Sequence, residues 1–204
     1  SYQVYVATEL LHLNPLLVHY NHRFNTVAGL QNLHWLSRTF PADLLRFSAR
    51  LDAVRRIVRA TFPMCGDVTW HYHAGCVTLP MQMAVRYGIP LVLWGEEGFS
   101  ELTGMFRLGD EVEYTRWKRT EHDLRGIEPE ALVGKEGITE QDIVPYRYPD
   151  DADIDRLGLR GIYLSNYLPW EPLSQVRLLL SRGWTPLSYK RDRTFNLYSK
   201  IDDH

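Results

Sequence analysis

Ser1-Tyr-Gln-Val-Tyr-Val-Ala-Thr-Glu-Leu-Leu-His-Leu-Asn-Pro-Leu-Leu-Val18 is the stretch whose reading decides the fold. Tyr2, Val6, Leu10 and Leu13 share one face at helical spacing, and the apolar run Pro15 to Val18 follows at once as a strand. A helix that leads directly into β and then α marks an α/β domain entered one strand late. The segment expected before it is a first strand and a loop running into a helix N-terminus, where α/β folds hold phosphate. On this reading Ser1 is the remnant of a nucleotide-binding loop.

The alternation continues outward from there. Leu16 to His19 gives a strand, and Asn25 or Thr26 caps a helix carrying Val27, Leu30, Leu33 and Leu36. Asp43 to Phe47 gives another strand, followed by a helix marked by Leu51, Val54, Ile57, Val58 and Phe62. Gly66 to Gly75 reads as a loop, after which helix resumes over Val77 to Tyr87 with Gly88 as C-cap. Pro90 to Trp94 and Arg160 to Leu164 are short strands, and a last helix runs from Pro172 through Val176, Leu179 and Leu180 to Gly183. Bare apolar strands separated by helices predict a buried parallel sheet. Gly95 to Lys118 mixes glycine, aromatics and charge as a loop or lid would, and Arg191 to His204 is polar.

With 204 residues, 45% apolar and 24% charged, the composition is that of an ordinary folded domain with a sizeable core. A formal net charge of −2 argues against a nucleic-acid surface. No run approaches the ~20 apolar residues of a membrane span, and no signal peptide is evident, so the expected location is cytoplasmic. The 2 cysteines, Cys65 and Cys76, form no secreted disulfide framework.

In an open parallel sheet, ligands bind beyond the carboxyl ends of the strands, which selects three loops. In Tyr20-Asn-His-Arg-Phe-Asn-Thr26, Asn21, His22 and Asn25 suit a purine or ribose, although Asn25 and Thr26 serve equally as helix caps. In Gly95-Glu-Glu-Gly-Phe-Ser-Glu101, the carboxylates of Glu96, Glu97 and Glu101 suit Mg²⁺ on a polyphosphate, or proton handling; the bland alternative is a solvated turn. The third loop is Ser165-Asn-Tyr-Leu-Pro-Trp-Glu171. Cys65, His71, His73 and Cys76 have the chemistry of zinc ligands but no recognised zinc spacing, so no metal is assigned to them. Gly134-Lys-Glu-Gly137 fails as a Walker loop, since no Ser or Thr follows Lys135, which is then a single cationic contact or a surface lysine.

Several segments occur in one order: Ser1-Tyr-Gln-Val-Tyr, Asn21-His22 with Asn25-Thr26, Gly66-Asp67 with Trp70-His71 and His73-Ala74-Gly75, and Trp94-Gly95-Glu96. Glu121-His-Asp-Leu-Arg-Gly126, Gly134-Lys-Glu-Gly-Ile-Thr139, and Arg160-Gly-Ile-Tyr-Leu with Asn166-Tyr167 and Pro169-Trp170 follow. The set resembles the N-acetyl sugar amidotransferases, a branch of the PP-loop ATP pyrophosphatases that serves surface-polysaccharide (lipopolysaccharide O-antigen) and flagellin-sugar biosynthesis. Each motif alone is weak; together, in register from Ser1 to about Trp184, they are specific.

The resemblance implies an α/β fold with a Rossmann-like parallel sheet of the PP-loop ATPase type, whose first strand and phosphate loop are missing from the chain. Residues 1–110 would form the nucleotide-binding core, and 111–204 its continuation with lid and substrate-side elements. Family members adenylate the acetamido oxygen of a nucleotide-linked N-acetyl sugar with ATP and Mg²⁺. Ammonia from a glutaminase subunit resembling that of the histidine pathway then displaces AMP, giving an acetamidino sugar. By position, Ser1, Asn21, His22, Asn25 and Gly95 fall on the nucleotide side. Glu96 and Glu97 fall near Mg²⁺ or the reacting carbonyl, His71 and His73 with Trp70 on the sugar and ammonia side, and Arg125 and Lys135 as anion contacts.

Two departures matter. The Ser-Gly-Gly-Lys-Asp-Ser pyrophosphate loop of the family is not in the chain, so ATP binding is expected to be poor. Where relatives carry Cys-Trp-His-Cys-His, this chain has Thr69-Trp-His-Tyr-His73, which removes the thiolates a metal would want. A homo-oligomer is compatible with the sequence. The alternatives are a PP-loop tRNA-modifying enzyme, which would want a basic surface, and a non-catalytic scaffold that binds the glutaminase partner.

Overall fold

The structure is a computed structural model that describes residues 1–96 and 113–187. Glu97, Glu101, most of the expected lid and the polar stretch Arg191 to His204 lie outside the described residues. The protein is mixed α/β, and the described strands form two two-stranded sheets, β1 with β2 and β3 with β4. The chain divides into two compact units, the first comprising Ser1–Leu17, Arg23–Leu45 and Leu168–His204, and the second Val18–His22 and Arg46–Tyr167.

In the first unit, helix α1 (Tyr2–Tyr5) passes straight into a π-helical turn over Val6–Leu10, closed by Leu11 N–H on Val6 O at 2.9 Å. A π turn holds an extra residue, so it rotates everything beyond it relative to a 3.6-residue spacing. Val4, Val6, Ala7 and Thr8 are the buried residues; Val6 is where the sequence puts it, while Leu10 and Leu13, at the end of the π turn and beyond it, are exposed, contrary to expectation. Helix α2 (Val27–Thr39) is capped by Thr26, whose Oγ1 accepts from Gly29 N–H at 2.9 Å. Its buried face carries Asn32, which exchanges two hydrogen bonds with the backbone of Thr185, both at 2.8 Å.

In the second unit, strand β1 (Leu16–Tyr20) contributes its buried end and β2 (Asp43–Phe47) leads into α3 (Leu51–Cys65). Gly66, at φ 70°, ends that helix with its N–H on Phe62 O. Only Gly66 to Thr69 then form a loop, and α4 spans Trp70–Tyr87, beginning well before the expected Val77. The reason is local: Asp67 Oδ1 accepts from Thr69 N–H at 2.7 Å and from its hydroxyl at 2.5 Å. That turn aims Thr69 O at the amides of Tyr72 and His73 and starts the helix at once.

Gly75 is interior to α4, where glycine is unfavourable, but a Cβ there would lie 2.4 Å from Cε2 of the Tyr20 ring. The core formed around it includes Val54, Ile57, Trp70, Leu79, Leu124, Leu132 and Tyr146. Strand β3 (Leu91–Trp94) pairs in parallel with β4 (Arg160–Tyr163), in register Leu91 with Arg160 through Trp94 with Tyr163.

Candidate functional site

The site grows from the carboxyl ends of β3 and β4. Ser165 N–H donates to Gly95 O at 3.0 Å, so the loops after these strands are tied together. Glu113 bridges antiparallel to Ile162, and Tyr114 N–H donates to Gly161 O at 2.8 Å, which lays the Tyr114 ring on Trp94 with centroids 4.8 Å apart. Gly161 is required there: a Cβ would meet Trp94 at 2.5 Å.

Beyond this aromatic patch, α5 (Arg116–Lys118) opens with Thr115 as its cap and runs into a second π-helical turn, Arg119–Asp123. The two turns bury Lys118, Arg119 and Asp123 to 2%, 4% and 5% exposure. The Tyr114 hydroxyl donates to Asp123 Oδ2 at 2.7 Å. Lys118 Nζ sits 6.0 Å from the Tyr163 ring centroid, and the Arg119 guanidinium 4.6 Å from that of Tyr148. Burial raises the Asp123 carboxyl to about 7, against the opposing pull of the Tyr114 hydrogen bond, Arg125 and Arg119. It also lifts the Tyr114 phenol well above its usual range, with the Asp123 charge adding to the effect. The pair thus carries a proton close to neutrality.

A second group surrounds the start of α4. Arg125 Nε lies 3.4 Å from Asp67 Oδ2, and its Nη1 donates to His122 O. Burial and the Arg125 charge push His122 down to about 4, and the same two effects lower His73 against the pull of Asp67. Both imidazoles are neutral at pH 7 and able to accept a proton. Burial lifts the Cys76 thiol to about 12, although it is hydrogen-bonded to Tyr72. Among the described residues no three His, Cys, Asp or Glu side chains group as a metal site.

The residues expected from the sequence are distributed as follows. Asn21 is buried, with its N–H on Phe47 O and its Nδ2 on Ser48 Oγ, both 2.9 Å. His22 is buried and edge-on to Tyr72 at 5.3 Å. Ser1 and Asn25 belong to the other unit, where Ser1 O accepts from the amides of Val4 and Tyr5. Trp70 is fully buried, with its indole N–H on Leu124 O at 2.9 Å. His71 is 1% exposed, and its Nδ1 lies 3.2 Å from the Tyr20 hydroxyl, which is itself 2.8 Å from that of Tyr146. Glu96 and Lys135 are exposed, and Lys135 stands on a surface 3₁₀ turn.

Sequence reading did not single out Tyr114, Lys118, Arg119 or Asp123. The available signal was the pair Lys118-Arg119 set among Tyr114, Trp117 and His122, with a carboxylate at Asp123. No described helix is long and apolar enough to cross a membrane. Compared with known proteins, the chain matches no family model and no curated protein.

Proposed function

We propose that the protein is an ATP-dependent amidotransferase acting on a nucleotide-linked N-acetyl sugar. In this reaction the acetamido oxygen attacks the α-phosphorus of ATP and pyrophosphate leaves. Ammonia nitrogen then attacks the activated carbon, AMP leaves with that oxygen, and an acetamidino group remains after proton loss. The reading draws on the motif order described above.

The single observation that supports it is the parallel β3–β4 pair whose carboxyl-end loops are joined through Ser165 and Gly95, the position at which such sheets bind ligands. In this reading Glu96 and Glu97 serve the reacting carbonyl or Mg²⁺. An exposed carboxylate such as Glu96 fits an ion carried mainly by polyphosphate, since Mg²⁺ commonly takes one or two carboxylates plus phosphate oxygens. Asn21, His22 and Gly95, which share the second unit, form the nucleotide side, with Arg125 and Lys135 as anion contacts. His73, only partly buried, is more accessible than the enclosed His71 for accepting a proton from the ammonia-derived nitrogen. His71 and Trp70 position it from within the core.

The PP-loop type of sheet and a glutaminase partner belong to the same proposal. The test is pyrophosphate release from ATP by the native protein with ammonia and a panel of UDP- and CMP-linked N-acetyl sugars. Glu96→Gln is expected to lower turnover by ~10²-fold. No release with any sugar would overturn the enzyme reading in favour of a partner-binding scaffold.

A further inference from the structure

Arg119 is buried to 4% exposure, yet only one of its three nitrogens is engaged: Nη2 lies 3.1 and 3.2 Å from the two carboxylate oxygens of Glu128. Nε and Nη1 are buried with no hydrogen-bond partner among the described residues. Sequestering a guanidinium with most of its N–H groups unmet is costly unless something else meets them. The carboxylate that meets Nη2 is poorly committed, and the nearby Asp123 is engaged by the Tyr114 hydroxyl. Glu128 is 42% exposed at its side chain, and it also accepts from the neighbouring Thr120 hydroxyl at 2.9 Å.

A buried cation and a hydroxyl therefore converge on a carboxylate that reaches in from the surface. We propose that Arg119 and Thr120, beside Lys118, form a binding site for a phosphoryl group, in which the Glu128 carboxylate is an internal stand-in for the ligand. A carboxylate offers two oxygens and leaves Nε and Nη1 unmet. A phosphoryl group offers three, enough to reach Nη2, the Thr120 hydroxyl and one of the unmet donors together. The charge agrees with this: the planar guanidinium of Arg119, over the Tyr148 ring, suits a phosphoryl group's several oxygens better than one half-exposed carboxylate. Glu128 then acts as a gatekeeper that an incoming phosphate must displace. The site stands on this geometry and not on the amidotransferase reading.

The test is calorimetric titration of the whole chain with inorganic pyrophosphate and, separately, with UDP, for the wild type, Glu128→Gln and Arg119→Lys. Glu128→Gln removes the competing charge from a half-exposed position and is expected to bind about tenfold more tightly than wild type, while Arg119→Lys binds about tenfold more weakly. Pyrophosphate is also expected to raise the melting temperature of Glu128→Gln more than that of wild type. Preference for pyrophosphate identifies a free polyphosphate as the ligand; preference for UDP identifies a nucleotide-linked one. Equal affinity of wild type and Glu128→Gln, or no saturable binding of either ligand to either protein at millimolar concentration, would overturn the site. Should Arg119→Lys fail to fold, the comparison of Glu128→Gln with wild type decides alone.

Discussion

Gly75→Ala separates two opposed expectations for one residue. Helix propensity alone favours alanine by about 1 kcal/mol at an interior position. The structure gives the opposite sign. The added methyl would lie 2.4, 2.5 and 2.7 Å from Cε2, Cδ2 and Cζ of Tyr20, inside any permitted contact. The ring cannot swing away cheaply, because its hydroxyl is held at 2.8 Å by Tyr146 and at 3.2 Å by His71. Overpacking of this kind costs about 2 kcal/mol, and losing the two buried hydrogen bonds costs about 1 kcal/mol each. Set against the propensity gain, the net is a destabilisation of about 3 kcal/mol. With a urea slope of about 2 kcal/mol/M, the midpoint should fall by about 1.5 M with the slope unchanged. In a Tyr20→Ala background both the clash and the hydrogen bonds are gone, so the same substitution should become stabilising by up to ~1 kcal/mol. A midpoint unchanged or raised in the wild-type background would refute the packing argument for Gly75.

Asp123 has a folded pKa of about 7 against an ordinary value of 3.8, so between these limits the native state holds a proton that the unfolded chain has released. Wild-type stability should therefore fall as pH rises from about 4 to about 7 and level off above; Asp123→Asn, which keeps an acceptor for Tyr114, should flatten that slope and be more stable at pH 8 by up to ~4 kcal/mol, read from urea midpoints across the range. Asp142 shows the reverse sign. Burial alone would raise its pKa, but the Thr139 amide, the Thr139 hydroxyl and Arg56 together hold it at about 2. Its contribution is present above pH 3.8 and lost as pH falls through 2, and Asp142→Ala at pH 7 should cost about 3 kcal/mol, since it leaves Arg56 without its buried partner and removes the carboxylate half of the capping box of the helix at Glu140–Ile143. Circular dichroism against urea at both pH values checks this; no loss at pH 7 would sink the pairing argument.

Much of the fold was legible where local pattern and local structure agree. The strand Asp43–Phe47 matches its expected bounds, and α3, whose apolar residues recur at helical spacing, is where the sequence puts it. The first errors come from π turns. A reading that assumes 3.6 residues per turn assigns Leu10 and Leu13 to the core with Val6, whereas the turn over Val6–Leu10 leaves Val6 buried and Leu10 and Leu13 exposed. The second error is the start of α4. Gly66 to Gly75 looks like a loop because it holds two glycines and an Asp-x-Thr turn, but that turn initiates a helix, and Gly75 serves the Tyr20 ring, far off in sequence. Such a contact has no local signature. Of the expected site residues, His73 and Arg125 come close to one another through Asp67 and His122, while Trp70 and His71 are committed to the core.

The cluster that sequence reading passed over is informative for the reason it was passed over. Lysine, arginine and aspartate are ordinarily read as solvated, and that holds for Arg116 and Asp151, whose ion pair lies at the surface. It fails at Lys118, Arg119 and Asp123, all buried, all on one irregular helical stretch, and all against the tyrosines at the end of the parallel pair. Apolar residues at these positions would cost less to bury, so stability alone does not account for charges there. Local rules tend to break at functional positions, and π turns are frequent at them. That a π turn, buried charges and a strand-end aromatic patch coincide in one short segment marks it as a candidate binding position that packing alone does not explain.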